Sequence, residues 1–131
     1  MHPLTGSWIA NIEESRRDPN HQFSRATMHF AVDGDRVTLT FGGINASGRE
    51  EHGSQTFLAD GKEHPVPQAA GYVASTTIDQ QSLRSAAIKD GQIVGQALYA
   101  VSDDGMKMTA SVSGIDASGR NFDQIIVFDR E

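Results

Sequence analysis

Apolar residues recur at every second position through most of the chain. Over residues 6–12, Trp8, Ala10 and Ile12 alternate with Ser7, Ile9 and Asn11. Met28, Phe30 and Val32 alternate with Arg25, Thr27 and His29 over residues 23–32, and Val37, Leu39 and Phe41 with Arg36, Thr38 and Thr40 after them. A period of two is that of a strand with one sheltered and one wet face. Residues 51–58 continue it with an unusually polar inward set, Glu51, Gly53, Gln55 and Phe57. Residues 72–78, 83–88 and 92–101 read as three more strands, followed by Met106, Met108, Ala110 and Val112 on one inward face and Phe122, Gln124, Ile126 and Phe128 on the last. Two segments break the pattern. Residues 13–22 carry almost nothing to bury and include Pro19, which predicts one helical turn at most and then a loop. Residues 62–71 contain Pro65 and Pro67, which fit only an edge strand or a connection.

The punctuation agrees with the period. Asp-Gly occurs at 33–34, 60–61, 90–91 and 104–105, and between alternating runs this dipeptide predicts tight hairpins, because both residues tolerate positive φ. Residues 33–57 recur as residues 104–128: aligned without gaps at an offset of 71, the copies share 10 identical positions of 25, including Gly43-Ile44 with Gly114-Ile115 and Ala46-Ser47-Gly48-Arg49 with Ala117-Ser118-Gly119-Arg120. No stretch is amphipathic enough for a crossover helix. Short strands joined by tight turns predict an antiparallel meander, and a meander this long splits into a sandwich or curls closed. The expected fold is an all-β, antiparallel up-and-down barrel of about 8–10 strands, whose interior is filled with side chains or holds one small ligand. Residues 1–131 are expected to form a single domain.

Composition narrows the partners. The chain has no cysteine, which removes disulfides and Cys-ligated metals and fits a reducing compartment. A net charge of -6, with Arg16-Arg17 the only basic pair, argues against nucleic acid. No apolar run approaches the ~20 residues of a membrane-spanning helix. The first residues, MHPLTGSW, lack the basic and apolar regions of a secretory signal, so the expected location is cytoplasmic, as monomer or homodimer.

Gly6-Ser7-Trp8 at the opening strand, with a basic residue late in the chain, resembles the lipocalins and the wider calycin group. That resemblance implies that Trp8 closes the barrel base with Arg130 packed across it, Arg120 being the second choice. The succession GSWIANIEES, LADGKEHPV, VSDDGMKMTASVSGIDASGR and VFDRE is similar to small bacterial lipocalin-like proteins of unassigned function, over nearly the whole chain. The segment between the first two strands lacks the helix-turn-helix lid of intracellular fatty-acid-binding proteins.

Candidate chemistry follows from the inward face. Glu51, Gln55 and Gln124 would point into an apolar barrel, where a polar group costs several kcal/mol unless bonded, so they either satisfy one another or meet a ligand head. Tyr72 and Tyr99 would add hydroxyls, and Met28, Phe30 and Met108 an adaptable apolar lining. The five histidines, His2, His21, His29, His52 and His64, lack metal-ligand spacing, and nothing selects for a haem or another cofactor. Arg49 and Arg120 sit in turns that need Gly48 and Gly119 for their backbone, which explains the repetition without an anion. The expected function is carriage or sensing of a small, mostly apolar molecule. The alternative is a barrel isomerase or cyclase with Glu51 as general acid-base.

Overall fold

The first and last strands of the chain lie side by side. In the computed structural model, which describes residues 2–17, 19, 22–66, 69–115 and 118–131, β1 (Gly6–Arg16) pairs antiparallel with β2 (Phe23–Asp33) and with β10 (Asn121–Arg130). Next in the chain come β3 (Arg36–Asn45), β4 (Glu50–Leu58), β5 (Asp60–Pro65), β6 (Tyr72–Ile78), β7 (Ser82–Lys89), β8 (Gln92–Val101) and β9 (Lys107–Ile115). Together they form one ten-stranded sheet in the order β4-β3-β2-β1-β10-β9-β8-β7-β6-β5, curled into a nearly closed barrel. The described residues contain no helix.

Closure is incomplete at one seam. β4 and β5 are consecutive in the chain, yet they do not pair and form the two edges of the sheet. Both edges carry groups that discourage pairing with another chain: Glu50, Glu51 and His52 on β4, and Lys62, Glu63 and Pro65 on β5. Asp60-Gly61 accordingly does not make the hairpin its sequence predicts. Gly61 has φ 77° inside an irregularity of β5, and the Asp60 carboxylate accepts hydrogen bonds from Lys62 N–H (2.9 Å) and His64 Nε2 (2.9 Å). The other three Asp-Gly pairs do turn between paired strands; Asp90, with φ 53°, has the same left-handed backbone as Gly91 (φ 77°).

The first strand runs four residues beyond the alternation that marks it. Past Asn11 the ladder is irregular, and side chains replace it: Ser15 Oγ donates to Asn11 O (2.6 Å) and accepts from Val127 N–H (2.8 Å), while Glu14 N–H donates to Asn11 Oδ1 (3.2 Å). These bonds stabilise extended backbone where there is nothing apolar to bury, so a helical turn does not form in residues 13–16.

The core gathers at one end. Trp8 near the start of β1, Phe30 near the end of β2, Val37 at the start of β3, Leu83 at the start of β7, Met108 at the start of β9 and Phe128 near the end of β10 are all fully buried with Leu4. Antiparallel connection puts those positions at the same end, and burying each large side chain contributes roughly 1.5–3 kcal/mol. Met106, expected inward, stands in the turn between β8 and β9 and is 55% exposed. His21, Pro67 and Ala117, which figure in the sequence patterns, lie outside the described residues.

Candidate functional site

The closed end is sealed by a layered plug. Residues 2–5 cross the base, where Thr5 N–H donates to His2 O (3.0 Å), and the indole Nε1–H of Trp8 donates to Leu4 O (2.9 Å). The Arg130 guanidinium lies 4.0 Å from the centre of the Trp8 ring and donates to Pro3 O, Thr5 O and Gly105 O at 2.6, 2.9 and 2.8 Å. A planar, permanently charged fork suits three carbonyls and an aromatic face at once. Gly6 completes the fit: with φ 124° it adopts backbone other residues avoid, and a Cβ there would sit 2.7 Å from Arg130 Nη1. The Gly-x-Trp sequence thus has a steric cause in the same arginine.

Above the plug, two rings meet across the barrel. Tyr99 on β8 and Phe30 on β2 pack edge to face with centroids 5.4 Å apart at 64°, flanked by Met108, Leu83 and Ala110. Farther from the base the inward positions become small. Ala10, Ala26, Ala74, Ala87 and Ala97 take them on β1, β2, β6, β7 and β8, with Gly53 and Gly95 on β4 and β8, and each of these residues remains partly exposed. The tip of the Phe41 ring lies against its cross-strand partner Gly53, where a Cβ would meet Cζ at 2.7 Å. Phe122 likewise lies beside Gly114.

Polar groups enter this region from one wall. Thr76 on β6 is buried and its hydroxyl shares a 3.1 Å hydrogen bond with Ser85 of β7. Tyr99 is their neighbour on β8. Burial pushes its hydroxyl pKa upward, and among the described residues no hydrogen bond offsets that. Among the described residues the only sealed and unpartnered side-chain oxygen is Thr5 Oγ1, so the Tyr99 hydroxyl still meets open space. Thr76 and Ser85 carry no sequence motif; the signal for them is their phase, in step with Ala74 and Ala87.

The residues picked out by sequence fall into three groups. Phe30 and Met108 are fully buried in the closed-end core. Met28, Tyr99 and Gln124 stand on inward positions between that core and the open end, and Tyr72 lies nearer the rim with Lys89 Nζ 5.2 Å from its ring centre. Glu51 and Gln55 are exposed on edge strand β4, and Glu51 accepts a hydrogen bond from Asn45 Nδ2 (3.0 Å). Arg120 Nε–H donates to Ser118 Oγ (3.1 Å) within its own turn. Among the described residues no three His, Asp or Glu side chains converge to hold a metal.

Two depressions lie among the described residues. One, of about 550 Å³, lies across β8–β10 against Ile93, Ile115 and Phe122. The other, of about 310 Å³, crosses β1–β3 and contains Ser7 and His29, joined by a 2.9 Å hydrogen bond between Oγ and Nδ1. No carboxylate bonds His29 among the described residues, so this pair lacks the third, orienting group of a nucleophilic triad.

No protein-family model and no curated protein matches the chain. Solved structures do. The fluorescent protein UnaG superposes with a TM-score of 0.67 at 13% identity, covering 98% of this chain and 97% of that one. Zebrafish ileal bile acid-binding protein, solved with cholic acid, gives 0.64 at 12% identity over 98% and 99%. Caenorhabditis elegans lipid binding protein 8 gives 0.59 at 13% identity over 98% and 96%. At such identities the likeness is one of fold, the lipocalin- and calycin-like antiparallel barrel.

Proposed function

We propose that this barrel carries or senses a small, mostly apolar molecule in the half of its interior away from Trp8. The observation that carries the reading is the size of the inward side chains there. Ala10, Ala26, Ala74, Ala87 and Ala97 are too short to meet across a ten-stranded barrel, and each keeps accessible surface. The chain exposes 8053 Å², whereas a compact chain of 14.1 kDa exposes about 6,700 Å². An interior that its own side chains leave open is the surplus expected of a container. Met28 offers a flexible wall, Gln124 and Tyr99 polar contacts, and the Phe30–Tyr99 pair a floor. Two neighbours in fold are named for bile acid and lipid binding, which supports the same reading.

Native mass spectrometry of the purified protein tests it, together with titration of a fluorescent apolar probe such as N-phenyl-1-naphthylamine. The expected result is a retained small molecule, or saturable one-to-one probe binding by the empty protein. A protein that keeps its fold, retains nothing and leaves the probe dark would overturn the proposal.

A further inference from the structure

The interior has hydroxyls where a binder of ionised lipids would need a cation. Among the described residues, the charged and titratable side chains near the inward face sit at its two ends or on edge strand β5 and are engaged or exposed there. Arg130 is spent on three carbonyls and Trp8 at the base, Arg17 lies 5.1 Å from the centre of the Phe23 ring and donates to Phe23 O, His64 on edge strand β5 pairs with Ala74 and is bonded to Asp60, and Lys89 and Glu51 are exposed towards the open end. Between the Phe30–Tyr99 floor and the rim, the inward polar groups of β6–β8 are the hydroxyls of Thr76, Ser85 and Tyr99. Leu83 pairs directly with Tyr99, and Ser85 is the next inward residue of β7, so Tyr99 and Ser85 stand in the diagonal relation that lets long side chains meet. The Thr76–Ser85 pair uses one of its two hydroxyl protons in the bond between them and keeps the other, with acceptor capacity, for a ligand; Tyr99 has all of its own.

Resting on the container reading above, we infer that the protein selects uncharged ligands, with a carbonyl or hydroxyl oxygen held by the Tyr99 hydroxyl beside the Thr76–Ser85 pair. A neutral oxygen accepts from a hydroxyl that has no protein partner and faces the open interior. A carboxylate in the same place would lose its hydration with no cation to replace it. The raised pKa of Tyr99 keeps its proton in place at neutral pH, so it donates.

The test compares lauryl alcohol, methyl laurate and laurate by probe displacement at neutral pH, with wild type, Tyr99→Phe and Ser85→Ala. The alcohol and the ester should bind at least about tenfold more tightly than laurate, and laurate should gain affinity as the pH falls towards its own pKa. Tyr99→Phe, which keeps the ring against Phe30, should weaken the alcohol and ester about three- to tenfold and leave laurate unchanged. Ser85→Ala should weaken the same two ligands less, and it carries the comparison if Tyr99→Phe does not fold. Laurate binding as tightly as the alcohol, or a folded Tyr99→Phe with unaltered selectivity, overturns the neutral-ligand inference while the container stands. Failure of all three compounds to displace a bound probe overturns the inference alone, whereas a probe that does not bind and a protein that retains nothing overturn the container as well.

Discussion

Gly43 and Gly114, 71 residues apart, each lie against the backbone of a neighbouring strand: a Cβ on Gly43 would sit 2.3 Å from Arg25 O, and one on Gly114 2.5 Å from Val94 O. The two residues hold the same place in the repeated hairpins, opposite Glu51 and Phe122, and the turns beyond them use Gly48 and Gly119 at the same φ of 83°. What the repeat preserves is a pair of close strand approaches with their turns. Gly43→Ala and Gly114→Ala should therefore each cost about 2–3 kcal/mol in urea unfolding, because backbone has to move. Gly95→Ala is the control. Its Cβ would meet Ala87 Cβ at 3.8 Å and Ser113 O at 3.9 Å, so stability should stay within about 1 kcal/mol of wild type.

Arg130 ties the last strand to the base of the first. Arg130→Ala should cost about 2–4 kcal/mol, because three carbonyls lose a charged donor and the Trp8 face loses its cation. Arg130→Lys should recover less than half of that loss, since an ammonium cannot span the same three acceptors. Trp8 is the sole tryptophan, so its emission reports the base directly: blue-shifted in wild type and shifted to the red in Arg130→Ala. Unchanged emission and stability would show that the arginine closes nothing.

Ala97→Leu separates an open interior from a packed one. Where space exists, the added carbons should leave stability within about 1 kcal/mol and reduce probe affinity at least about tenfold. A filled core would instead lose about 1–3 kcal/mol. Thermal melts and one titration decide between them.

Acid should weaken the closed end first. Asp104 is held below the usual carboxylate range by Ser102 Oγ–H (2.6 Å) and Met106 N–H (3.0 Å); Asp129 is held low by Lys107 and Asn11, and Asp60 by Lys62 N–H and His64. A depressed folded pKa means stability that is complete above the ordinary value of 3.8 and lost as the pH falls through the folded value. Lys107, raised by Asp129 and Glu14, acts in the opposite direction: its contribution is intact below its ordinary 10.5 and lost as the pH rises past the folded value. The urea midpoint should thus fall below about pH 4, and Asp104→Asn should make that fall shallower. Parallel acid limbs for the two proteins would refute this assignment.

Hydrogen exchange should reveal the seam. β1, β10 and β9 are paired on both sides and should hold the slowest amides, while β4 and β5, each paired on one side, should exchange ahead of them. Equal protection in β4 and β10 would mean that the barrel closes through β4 and β5.

The alternation of apolar residues by itself determined that the chain is a meander of antiparallel strands, and which face of β1 to β4 and of β10 turns inward. Strand periodicity is a local property, written in neighbouring residues such as Val37, Thr38 and Leu39. The repeated Gly-Ile and Ala-Ser-Gly-Arg stretches, read as a turn signature, likewise marked two equivalent hairpins. Three things lay beyond its reach. The extension of β1 to Arg16 depends on Ser15 bonding Val127, 112 residues away, and no local pattern encodes that partner. Asp60-Gly61 has hairpin chemistry, but only the arrangement of the whole sheet sets β4 and β5 apart as edges. The Thr76–Ser85 pair beside Tyr99 comes from three strands brought into register, and single hydroxyls in an alternating pattern become a site only when distance in the fold replaces distance along the chain.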